Sequence, residues 1–158
     1  MDPHYYHVNV AWSTDRKGMM CSPELNQTTL GSTGCIEVAT PPEFPKGIPG
    51  IWSPEHLFTA SVSSCLMTTF LAIAENSQLD FLTFDCQAEG KLERFEGKFL
   101  MTEVVLRPIV TVRNEKDIDK ALTILQKSED NCLISRSVRS KITMIPRVSV
   151  AGLKLVPA

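Results

Sequence analysis

Ser53-Pro54-Glu55-His56-Leu57-Phe58-Thr59-Ala60-Ser61-Val62-Ser63-Ser64-Cys65-Leu66-Met67-Thr68-Thr69-Phe70-Leu71-Ala72-Ile73-Ala74-Glu75-Asn76 is the stretch that decides the architecture. Ser53 can cap a helix, Pro54 suits its first position, and Glu55 faces the positive end of the macrodipole. The helix should then run to about Asn76. From His56 through Ala74, 19 residues pass without a formal charge. Leu57, Phe58, Val62, Leu66, Met67, Phe70, Leu71 and Ile73 point around most of the circumference, which requires burial on nearly all sides. A membrane span is the weaker reading, because the run carries six Ser/Thr and no flanking basic anchors. No membrane partner is expected.

On the N-terminal side, Tyr6, Val8, Val10 and Trp12 alternate with His7, Asn9 and Ala11, the period-two pattern of a half-buried strand. Thr14-Asp15-Arg16-Lys17-Gly18 reads as a turn, followed by short strands around Met19 to Glu24 and Gly34 to Ala39. These make an antiparallel meander. Four of the ten prolines lie from Pro41 to Pro49, so that stretch is a loop.

On the C-terminal side, Phe81 to Arg94 and Lys98 to Val112 are long strand-like runs joined at Glu96-Gly97, a tight hairpin, with Pro108 marking an edge or a bulge. Asn114 can cap a second helix, in which Ile118, Ala121, Leu122 and Leu125 share one face. A short, helical turn follows Cys132, and Ile142 to Val156 closes with strand character. The order β-β-β-α-β-β-α-β makes an α+β fold, antiparallel sheets about a long buried central helix, as one domain over residues 1–158.

Composition narrows the function. With 43% apolar and 22% charged residues the chain can bury a core, and 16 basic against 18 acidic residues give a charge of −2 with neither sign bunched. Nucleic acid is therefore not an expected partner. The opening MDPHYYHVNVAW has no basic start and no apolar core, which argues against secretion and for a cytoplasmic address. Five cysteines, at 21, 35, 65, 86 and 132, form no CxxC pair and no zinc-spaced cluster, so no metal site is expected. An odd count in a reducing compartment also fails as a disulfide framework. Cys21, Cys35 and Cys86 read as small structural hydrophobes.

Cys65 sits in the most apolar part of the chain, about 16 Å along its helix, where the helix's positive end adds little. To be reactive it needs a cation brought to it, and Arg16, Lys17, Arg136 and Arg139 are the candidates. His56 beside Glu55 suggests a cysteine hydrolase, but His56 and Cys65 are nine residues apart and half a turn out of alignment.

The segment from Trp52 to Cys65 resembles the NPE(Q/E)LLxAAxAxC segment of the OsmC/Ohr family, the osmotically inducible and organic hydroperoxide resistance proteins. The likeness includes the Pro54-Glu55 pair and the ten-residue step from Glu55 to Cys65. A second cysteine, Cys132, heads a segment similar to the family's CP(Y/V)S, with Leu133 in place of the proline. Arg16 stands where hydroperoxide-resistance members carry an arginine, without the usual preceding glycine.

This resemblance implies a thiol peroxidase that needs no metal, haem or other cofactor. Cys65 would be the peroxidatic thiolate and Cys132 the resolving thiol, with Arg16 and Glu55 in support. Leu57, Phe58, Leu66, Met67 and Phe70 would wall an apolar pocket favouring organic hydroperoxides over hydrogen peroxide. The resemblance also implies a dithiol reductant of the dihydrolipoyl kind and an intertwined homodimer. Glu55 and Cys65 are about 15 Å apart on a straight helix, so the helix kinks, or Arg16 bridges them, or the groups meet across a dimer interface. The alternative is a non-catalytic protein of the same fold that binds a small apolar ligand or partner.

Overall fold

The computed structural model describes residues 2–25 and 34–152. In chain order the elements are β1 (Asn9–Thr14), β2 (Lys17–Cys21), β3 (Cys35–Ala39), α1 (Pro54–Asn76), β4 (Phe81–Phe95), β5 (Lys98–Val112), α2 (Ile118–Asp130), α3 (Leu133–Ser137), β6 (Lys141–Met144) and β7 (Arg147–Val150). The fold is α+β. The chain gathers into two compact units, one ending at Leu57 and the other beginning at Phe58.

The first unit is the expected antiparallel meander, ordered β1-β2-β3. Its first turn reverses at Asp15, which adopts a positive φ of 47°. After β3 the proline-rich stretch folds on itself as a loop, with Phe44 N–H donating to the Pro41 carbonyl and Ile48 N–H to the Thr40 carbonyl. Two expectations fail here. β1 is exposed along its whole length rather than half-buried, because the alternation of Val10 and Trp12 shows that they share a face and not what covers it. Cys21 and Cys35 are not isolated structural hydrophobes. They stand directly opposite each other in the β2–β3 ladder and are joined by a disulfide. The bond links residues 14 apart in sequence, and closing a loop of that size is worth about 3 kcal/mol through restriction of the unfolded chain.

The start of α1 follows its sequence signals. Ser53 Oγ accepts the backbone N–H of His56 at 3.3 Å, an N-cap bond. Leu57 N–H donates to the Ser53 carbonyl at 3.0 Å.

The second unit is built on the β4–β5 hairpin. Glu96 and Gly97 both have positive φ, 48° and 80°, and Phe95 pairs with Lys98 across them, the geometry of a two-residue primed turn. β6 and β7 then add to the far edge of β5 in parallel, so this sheet is mixed rather than wholly antiparallel. The single closing strand expected over Ile142 to Val156 is two short strands broken at Ile145-Pro146, and residues 153–156 lie outside the described residues. Pro108 falls where the far edge of β5 passes from β6, which pairs through Leu106, to β7, which pairs from Ile109. A residue without an N–H is tolerated at that break.

Asn114 makes no side-chain cap. A 3-10 turn over Glu115–Asp117 intervenes before α2.

One face of α1 packs into this unit. Phe70 and Ala74 join Val110, Val112, Ala121 and Leu125 in one buried cluster, and Val62 and Leu66 join Val104 and Leu106 in another. α1 is long and apolar enough to cross a bilayer, but these buried side chains are those of a core helix. The burial is one-sided. Met67 is 39% and Leu71 42% exposed, so within one chain the expected cover on nearly all sides is incomplete.

Candidate thiol site and its family

Cys65, on α1, and Cys132, in the link from α2 to α3, are both in the second unit. α1 carries Cys65 on the margin of its buried face, 9% exposed. Cys132, which with Asn131 joins α2 to α3, is the N-cap of α3 and is fully buried. Its extended backbone, φ −67° and ψ 110°, turns the chain from one helix into the next. Its N–H donates to the Glu129 carbonyl at 3.0 Å, and its carbonyl accepts the Arg136 N–H at 3.1 Å. The missing proline at Leu133 therefore does not prevent a helix start. α3 begins at that residue.

The Cys132 thiol feels that of Cys65 as an electrostatic neighbour, and both are free. Burial pushes the Cys132 thiol above its ordinary range, the adjacent Cys65 sulfur pushes it further, and Ser135 opposes the shift. Cys132 thus stays protonated near neutral pH and can donate its S–H to Cys65. The arrangement separates two chemical roles. Cys65 keeps 9% of its surface and Cys132 none, so of the two only Cys65 has any access from solvent.

Arg16 and Glu55 are both in the first unit, where they line a hollow of about 540 Å³ together with Trp12, Val38 and Phe44. The Arg16 carbonyl accepts the Thr40 N–H at 3.0 Å, which fixes the turn to the chain leaving β3. α1 runs without interruption from Pro54 to Asn76, so a break in the helix between Glu55 and Cys65 is not found. His56 serves the helix start. Its Nδ1 lies 2.8 Å from Ser53 Oγ, and its ring meets that of Trp52 edge-on at 6.2 Å.

Of the proposed pocket walls, Leu66 and Phe70 belong to the buried core clusters. Phe58 packs against one of those clusters, Leu57 is half-buried, and Met67 is exposed. Met67 lines a separate hollow of about 330 Å³ with Ser63, Phe84 and Cys86. The sequence reading missed this hollow because it depends on β4 lying beside α1. The Cys86 thiol is pushed up by burial, with Ser63 acting against the shift. Among the described residues no group of three or more His, Cys, Asp or Glu side chains is gathered to hold a metal ion.

Residues 47–146 match the family described as OsmC-like protein. A Bacillus subtilis protein, YmaD, itself uncharacterised, is 22% identical over 153 residues, covering 95% of this chain and 97% of its own. Among solved structures, an OsmC-like protein of unknown function from Vibrio cholerae is 23% identical with a TM-score of 0.78, over 91% of this chain and 99% of that one. An organic hydroperoxide resistance protein from Elizabethkingia anophelis is 19% identical with a TM-score of 0.69, over 94% and 98%. The family match spans well over half of the sequence and includes both cysteines of the pair, and the chain belongs to the OsmC-like protein family.

Proposed function

We propose that this protein is a thiol-dependent peroxidase for organic hydroperoxides, with Cys65 as the peroxidatic residue and Cys132 as the resolving one. The observation that carries the reading is the proximity of a Cys65 that is 9% exposed to a fully buried Cys132, whose thiol is pushed up by burial and by Cys65. The Cys65 sulfur attacks the distal peroxide oxygen, the O–O bond breaks, and the alcohol leaves with a proton as Cys65 becomes a sulfenic acid. Cys132 then attacks that sulfur, expelling water and leaving a Cys65–Cys132 disulfide. A dithiol of the dihydrolipoyl class returns two electrons and two protons. Resemblance to the hydroperoxide-resistance proteins supports this assignment and gives Arg16 and Glu55 the role of its charged support.

The substrate preference tests the reading. The likeness to an organic hydroperoxide resistance protein supports an alkyl or aryl hydroperoxide, whose apolar part gains from burial where hydrogen peroxide gains nothing. Reduced protein mixed with cumene hydroperoxide should be oxidised at least about tenfold faster than with hydrogen peroxide, since burying even two or three methylene equivalents is worth that much. Equal or reversed second-order rates would remove the organic-hydroperoxide assignment.

The active form is proposed to be a homodimer. The uncovered α1 face at Met67 and Leu71, and β1 with Trp12 77% exposed, are apolar surfaces that a second copy would bury. Light scattering at low micromolar concentration should give twice the chain mass, without dissociation before unfolding. A folded monomer at that concentration contradicts the dimer.

A further inference from the structure

We propose that the Cys21–Cys35 disulfide is a second redox centre of this protein, opened by dithiols and closed by hydroperoxides, and that its state sets how firmly the first unit's sheet is held. The proposal does not depend on the peroxidase reading of Cys65. Cys21 and Cys35 form the terminal pair of the β2–β3 ladder, whose other end is Lys17 opposite Ala39. That opposite end borders the hollow lined by Arg16, Lys17 and Ala39. The bond therefore clamps one end of the two strands that shape the hollow at the other.

Both cysteines are only half-buried, unlike Cys132. A dithiol can reach them without unfolding the chain, and access is what separates exchangeable disulfides from inert ones. Beyond its backbone ladder and the Lys17–Glu37 pair, side-chain burial adds little to the sheet. β1 is exposed throughout, and in β2 and β3 only Gly18 and Ala39 are buried. Beside the disulfide, His7 and Glu24 make an exposed clasp, with His7 Nδ1 2.7 Å from Glu24 Oε1, and a pair so open to solvent is a weak substitute for a covalent bond.

The chemistry balances in both directions. A dithiol gives two electrons and two protons, the S–S bond breaks to two thiols, and the dithiol becomes a cyclic disulfide. In reverse, two thiols and one hydroperoxide yield the disulfide, one alcohol and one water.

The test uses the full chain carrying Cys65→Ser, Cys86→Ser and Cys132→Ser, so that only this pair can respond. Incubated under native conditions with millimolar dithiothreitol and then alkylated, it should acquire two labels per chain. Amide exchange in Lys17–Cys21 and Cys35–Ala39 should then accelerate at least about tenfold, while β4, β5 and α2 are unchanged. Cumene hydroperoxide should restore both the disulfide and the slow exchange. The wild-type chain, treated in the same way, should show the same exchange change in β2 and β3, which keeps the test decisive if the triple variant folds poorly. A disulfide that resists dithiothreitol until the chain is denatured overturns the proposal. So does reduction that leaves exchange in β2 and β3 unchanged.

Discussion

Cys65→Ser is expected to lower hydroperoxide consumption by roughly a thousandfold or more, because a serine hydroxyl is a far weaker nucleophile than a cysteine sulfur and its neighbour Cys132 is fully buried. The fold should survive. The replacement is nearly isosteric at a position 9% exposed, and the thermal transition of the variant should stay within a few degrees of wild type. Cys132→Ser should behave differently. It should complete a first turnover at close to the normal rate and then stop, with Cys65 carrying one oxygen and, under excess peroxide, two. Stopped-flow consumption and intact-mass measurement separate the cases. Full activity in Cys65→Ser would end the peroxidase reading, whereas sustained turnover in Cys132→Ser would reassign only the resolving step.

Phe70→Ala should be the most damaging single change to the second unit. Phe70 is fully buried, and its ring stands 5.2 Å from that of Phe81 at 77° and 5.0 Å from that of Phe84. Truncation removes both ring contacts and leaves a cavity between α1 and the sheet, at a cost of about 3–5 kcal/mol. That is a large part of the 5–15 kcal/mol by which domains are commonly stable. Phe70→Leu should cost clearly less, since it fills much of the cavity. Urea unfolding followed by circular dichroism measures both, and a loss below about 1 kcal/mol for Phe70→Ala would show that this cluster does not anchor the helix.

The legible parts of the fold were those fixed by local chemistry. Ser53 and Pro54 mark the start of α1, the charge-free run after them sets its length, and Glu96-Gly97 supplies the two positive φ angles of the hairpin. What escaped depends on partners distant in sequence. The Cys21–Cys35 bond follows from the register of β2 against β3, which neither strand states alone. The burial of Leu66 and Phe70 follows from which side of α1 meets the sheet, whereas the sequence showed only that apolar residues point around most of the circumference.

The site was legible in a different way. No physical argument from the residues alone pairs Cys65 with Cys132 across 67 positions; the resemblance to a family supplied the pair. In the structure the two thiols are electrostatic neighbours, with Cys132 fully buried and Cys65 9% exposed. Arg16 and Glu55, linked to Cys65 only by that resemblance, line a hollow of the first unit. The departures at Leu133 and before Arg16 are compatible with the local structure, because Cys132 still opens α3 and the Arg16 turn is tied to Thr40.

The most direct test of the thiol-pair mechanism is to map the bond formed by a single oxidation. Fully reduced protein should be treated with one equivalent of cumene hydroperoxide, blocked with a thiol alkylator, digested and analysed by mass spectrometry without reduction. The account predicts one new crosslink, between the peptide containing Cys65 and the peptide containing Cys132, with Cys86 alkylated. Consumption of the peroxide with Cys65 recovered as an alkylated thiol, or with Cys65 linked to Cys86, would contradict it.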